Sequence, residues 1–106
     1  MSLSNPNSGF EMSLPVDYTK LTTTQRRAVR QQYEREQGHF CWFCGTSLYG
    51  SVNEDIQDLP IDWSLFPGGE DFLKYPVHLQ HNHATGMTEG AVHAYCNAFM
   101  WNYFRR

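Results

Sequence analysis

The sequence predicts a small α+β domain in which one helix and a Cys-x-x-Cys knuckle precede a strand–strand–helix unit. Three observations predict it. A helical pattern with its own start and stop signals runs from Thr22 to Gly38. Alternation at Val77, His78 and Leu79, and a return at residues 90–93, flank a polar turn and lead into an aromatic helix over residues 94–104. Finally, Cys41-x-x-Cys44 has a partner pair far downstream, His93-x-x-Cys96. Cys41, Cys44, His93 and Cys96 make a Cys3His set, the ligand type of a closed structural zinc site with no open position.

Size makes such a staple useful. A chain of 106 residues buries only a modest fraction of its surface, and a structural ion supplies what a small core lacks. With 41% hydrophobic and 15% aromatic residues, the composition is that of a folded globule. No apolar run approaches the length of a membrane span, and no positively charged start precedes an apolar segment of the signal-peptide type. We therefore expect no membrane association and a cytoplasmic location. Three cysteines, two of them three residues apart, form a poor disulfide framework but a good metal set in a reducing compartment.

The net charge of −3 is unevenly spread. Six of the 11 acidic residues lie in residues 46–74, opposed there by one of the 8 basic ones. The rest of the chain carries 5 acidic and 7 basic residues, so a phosphate-binding face is compatible with the acidic total.

Residues 1–17 are polar, turn-prone and without periodicity, and are expected as a flexible N-terminal arm ahead of a single domain over residues 18–106. In the first helix Thr22 and Gln25 fit a capping box, Leu21 can staple the entry, and Gly38 is a stop. Its apolar stripe is thin, and Arg26, Arg27 and Arg30 are candidates for a nucleic-acid backbone, with Arg30 also spaced to pair with Glu34. After the knuckle, residues 46–74 read as a long acidic insertion whose aromatics Trp63, Phe66 and Phe72 cap the core. In the C-terminal unit Val77 and Leu79 should face the core, while Gln80 and His81 converge on one site only where the strand ends in a bulge. A redox Cys-x-x-Cys is the rival reading of the knuckle, but no βαβ pattern surrounds it.

The run Leu79-Gln80-His81-Asn82-His83-Ala84-Thr85-Gly86, followed by Gly90-Ala91-Val92-His93-Ala94-Tyr95-Cys96-Asn97, resembles the HNH or His-Me finger nucleases. It is closest to the recombination endonuclease VII-like subgroup common in bacteriophages, which shows Asp-His-x-His, Thr-Gly, and a Cys-x-x-Cys-Asn preceded by its own Cys-x-x-Cys. The likeness covers about residues 18–103 and is most specific in the last third; the acidic insertion lies outside the common pattern. It implies a ββα-metal fold and a DNA endonuclease that leaves 5′-phosphate and 3′-hydroxyl ends, working in the cytoplasm of a host cell if phage-encoded. By the same resemblance His81 matches the general base, His83 an accessory catalytic histidine, and Asn97 a ligand of the catalytic Mg2+ or Mn2+. The position before the base, an Asp or His metal ligand in the family, is Gln80 here, and His93 stands where the family has a zinc cysteine.

These roles make chemical sense. Phosphodiester hydrolysis needs a proton acceptor for water and positive charge beside the leaving oxygen, and a neutral imidazole with one hard cation meets both needs. Gln80 and Asn97 together bring no charge to magnesium, which leaves a second reading open: a catalytically inactive, zinc-stabilised module that binds nucleic acid. A nucleotide deaminase is excluded because its His-x-Glu and Pro-Cys-x-x-Cys signature is missing. Oligomeric state stays open, with a homodimer favoured only if the substrate is branched DNA. His78 and His39 are expected to serve packing or to face solvent, unless the weak magnesium site is met by manganese or another ion that accepts imidazole from His78 or His83.

Overall fold

Thr22 opens helix α1 (Thr23–Glu36) through the expected capping box: Gln25 N–H donates to the Thr22 hydroxyl at 3.1 Å, and the Thr22 N–H donates to the Gln25 side chain at 2.9 Å. The helix stops at Gln37 because Gly38 and His39 both turn left-handed, each with φ 66°. In the computed structural model, which describes residues 11–105, the knuckle follows, then turns of 3₁₀ helix at Trp63–Leu65 and Gly69–Leu73. Strands β1 (Val77–His81) and β2 (Thr88–His93) form an antiparallel hairpin, and α2 (Ala94–Phe104) continues directly from β2. The result is an α+β domain of two helices and a two-stranded sheet, both helices packing on the hairpin.

The core forms where these elements meet. Val29 and Tyr33 from α1, Val77, Ala91 and Val92 from the hairpin, Cys96 and Met100 from α2, and Leu48 after the knuckle make one buried cluster, with Leu79 partly buried against it. Gln37 ties the end of α1 to β2 as a further strand would: its side chain accepts from Ala91 N–H at 2.8 Å and donates to the Ala91 carbonyl at 2.9 Å. The knuckle docks on the same stretch, where Trp42 N–H donates to the Ala91 carbonyl at 3.0 Å. Gly90 permits this approach, since a Cβ there would lie 2.7 Å from Trp42 Cγ and 2.8 Å from the Gln37 side-chain oxygen.

The first ten residues of the expected arm lie outside the described residues. Residues 11–17 are bonded to the body rather than free: Met12 N–H donates to Gln32, Val16 exchanges hydrogen bonds with Thr88, and Asp17 bridges to Met87. The insertion is likewise laced down. Tyr95 and Tyr103 of α2 donate their hydroxyls to carbonyls of Leu59 and Pro60, and Asp62 N–H donates to Asn102 at 2.9 Å.

Candidate functional site

Two neighbouring sites emerge, and they differ in construction. The first is the thiol centre. The ligand atoms of Cys41, Cys44, His93 and Cys96 all lie within 4.8 Å of one another, close to the edge of about 3.8 Å that a tetrahedron with zinc–sulfur bonds of about 2.3 Å would have. This group could hold a metal ion, and its chemistry fits zinc. The turn after Cys41 aims amides at its sulfur, with Cys44 N–H at 3.5 Å. His93 is oriented from behind: Nε2 lies 2.7 Å from the Ser47 carbonyl, so as donor it leaves the Nδ1 lone pair facing Cys44 at 3.4 Å and Cys96 at 3.6 Å. The Cys41 thiol is held well below its ordinary range, first by a hydrogen bond from Cys96 and then by these amides. Cys96 is pushed up for the reciprocal reason, since it donates that hydrogen bond and is buried. All three cysteines are free of disulfides.

The second site is a groove of about 810 Å3 between α1, the hairpin, α2 and the insertion. It gathers most of the residues the sequence singled out: His81, His83, Asn97, Arg26, Arg27 and Arg30 all line it. Among the described residues no carboxylate does, so the acidic insertion contributes only apolar wall, from Leu65, Phe66, Pro67 and Phe72. Its aromatics therefore do more than cap the core; Phe66 and Phe72 pack on one another with rings tilted by 44°, and Phe72 meets the His78 ring edge-on at 4.7 Å.

The turn between the strands sets the histidines. Asn82 accepts from the N–H groups of Ala84 and Thr85 through its side chain, and Gly86 closes the turn at φ 79°. The register shift at Gln80 and His81 is the bulge the sequence suggested, but it does not bring the two side chains together. His81 turns to the groove. Gln80 turns inward, only 1% exposed, donating to the His81 carbonyl at 2.8 Å and to Glu89 at 3.3 Å. Gln80 does not line the groove.

His81 is clamped. Tyr18 stacks on it with ring centroids 3.9 Å apart and planes 8° from parallel, and the Arg26 guanidinium sits 3.9 Å over the Tyr18 ring. Arg26 also donates to the Tyr18 carbonyl at 3.2 Å, so it braces this stack as well as lining the groove. On the other side His83 lies 4.5 Å from His81, and Trp101 lies 5.0 Å from His83. Burial lowers the proton affinity of His81, helped by the nearby charges of His83 and Arg26 and opposed by Glu89. This bias favours the neutral imidazole. Arg30 pairs with Glu34 at 3.0 Å, as its spacing suggested, and Arg27 is exposed at the groove edge.

Asn97, on the first turns of α2 next to Cys96, meets His78, which the sequence offered only as packing or as an alternative imidazole donor to a manganese-type ion. Its amide donates to His78 Nδ1 at 3.1 Å. His78 is in the groove, and the period-two alternation of β1 that pairs it with Gln80 on one face carried that signal. Tyr18 had no comparable signal, because it belongs to an aperiodic stretch. His39 is exposed, as expected of a residue without a role. We found no match for this chain among protein-family models, curated proteins or solved structures.

Proposed function

We propose that this protein is a metal-dependent DNA endonuclease of the HNH type, with the ββα-metal arrangement, in which His81 is the general base. One observation carries the reading: His81, His83 and Asn97 open on a single groove with three arginines and, among the described residues, no carboxylate, a surface suited to a phosphodiester. His81, held neutral and fixed in orientation by Tyr18, takes a proton from water as it attacks phosphorus. The bond from phosphorus to the 3′ oxygen breaks, giving 5′-phosphate and 3′-hydroxyl ends. Arg27 and Arg30 attract the backbone, and His83 assists beside the base. When bound, Mg2+ or Mn2+ supplies positive charge for the scissile phosphate and the leaving oxygen. Asn97 lines the groove and its side-chain amide would offer such an ion an oxygen donor. Gln80 does not fit, because its amide is buried and engaged elsewhere.

Zinc in the Cys3His centre is structural in this reading, holding the knuckle to the start of α2 and so setting Asn97. Three thiols at such a centre stay reduced inside a cell.

The buried Gln80 favours a second reading, a zinc-stabilised module that binds nucleic acid without cutting it. Plasmid nicking in Mg2+ or Mn2+ separates the two. The nuclease reading expects cleavage by the wild type and a loss of about 10²–10⁴-fold in His81→Ala, with DNA binding retained. Unchanged cleavage in His81→Ala overturns the base; DNA binding without any wild-type cleavage supports the second reading.

A further inference from the structure

The ion of the proposed hydrolysis lacks the ligand that the residue before the base would supply. Gln80 is 1% exposed, and its amide nitrogen is bonded to the His81 carbonyl and Glu89. Two positions earlier on the same strand face, His78 does open on the groove, and its Nδ1 lies 3.1 Å from the Asn97 amide. Two donors bound side by side on one ion, with bonds of about 2.1 Å at right angles, sit about 3 Å apart. The separation is already that of neighbouring ligands, and a half-turn of the Asn97 amide presents its oxygen in place of its nitrogen.

We infer that His78 Nδ1 and the Asn97 side-chain oxygen form the divalent-ion site of this groove, Gln80 taking no part, and that it prefers a first-row transition ion to magnesium. Imidazole binds such ions better than magnesium, which asks for oxygen ligands and gives up water reluctantly. The two groups come from β1 and α2, and each is held by the fold. Asn97 follows a Cys96 anchored in the thiol centre, and the His78 ring is set edge-on against Phe72. The main chain at Phe72 and Tyr75 hydrogen-bonds the same imidazole and adds to its anchoring. Among the described residues no carboxylate lines the groove, so neutral donors would hold the ion and water or substrate phosphate would complete its shell.

The inference rests on the nuclease reading for the use of the ion, not for its binding. The test is Mn2+ binding to the zinc-loaded full chain, followed by the loss of the free Mn2+ paramagnetic resonance signal, with Mg2+ as competitor. The wild type should bind one Mn2+ per chain that Mg2+ displaces only in large excess. His78→Ala and Asn97→Ala should weaken binding at least about tenfold, while Gln80→Ala changes it less than about twofold. His78→Phe keeps an aromatic ring against Phe72 without a donor atom and should also lose the ion; zinc content and circular dichroism show that each variant is folded. No bound Mn2+, undiminished binding in both folded His78 variants, a loss confined to Gln80→Ala, or Mg2+ binding as strong as Mn2+ overturns the inference. Plasmid cleavage keeps the two ideas apart. Mn2+ bound through His78 with plasmid left intact overturns the nuclease and keeps the ion site; cleavage with Mn2+ binding indifferent to His78 does the reverse.

Discussion

The thiol centre and the groove lie side by side but are built in opposite ways. Two short Cys- and His-containing pairs make the first, each with its spacing set by a local turn. The groove draws on Tyr18 ahead of α1, α1 itself, the insertion, β1 with the turn after it, and α2, none of which holds a site alone. The centre is closed and couples to stability, whereas the groove is open and couples to whatever it binds. Damage to the first should therefore unfold the chain, and damage to the second should leave it folded and impaired.

The largest effect tests the closed side. Cys41→Ser, or removal of metal from the wild type by a chelator, should abolish the folded far- and near-ultraviolet dichroism. Zinc binding to such sites is worth about 10–16 kcal/mol, against a total stability of about 5–15 kcal/mol for a domain. Metal analysis of the wild type should show about one zinc per chain. A folded Cys41→Ser protein would place the stabilising weight elsewhere.

A middle-sized effect probes the seam where α1, the knuckle and β2 meet. Gly90→Ala would press a methyl group into Trp42 and Gln37, and should cost about 1–3 kcal/mol in urea unfolding. Zinc content should not change. Loss of zinc in this variant would mean that the seam, not the ligands, holds the centre together.

The smallest effect sharpens the open side. A stacked aromatic pair contributes about 0.5–1.5 kcal/mol, so Tyr18→Ala should lower kcat by no more than about tenfold, while Tyr18→Phe restores it. The pH profile adds a sign. The folded protein holds the His81 pKa below the ordinary value of about 6.5, so activity persists above that lowered pKa and is lost as pH falls through it. Tyr18→Ala exposes the ring and should move this acid limb of kcat/KM upward. An unmoved limb would show that Tyr18 packs against His81 without tuning it.

Legibility follows the same divide. The capping box of α1, the hairpin with its bulge, and α2 over Ala94–Phe104 each obey local rules of capping, alternation and turn chemistry, and each stands where those rules put it. The Cys3His grouping was also legible, because two paired spacings already specify most of a tetrahedron. Tyr18 and the insertion aromatics were not. Their places depend on Arg26 reaching across to Tyr18, and on the tyrosines of α2 catching carbonyls of the insertion.

What the chain determines by itself is thus the set of elements and the thiol ligands, since both arise from contacts a few residues apart or from paired motifs. Only the tertiary structure decided which face each groove residue presents. Period two places His78 and Gln80 on one side of β1, yet the bulge after Gln80 buries its amide among hydrogen bonds while His78 meets Asn97 in the groove. A side chain at the end of a strand goes where its polar atoms find partners, and those partners are supplied by the rest of the fold.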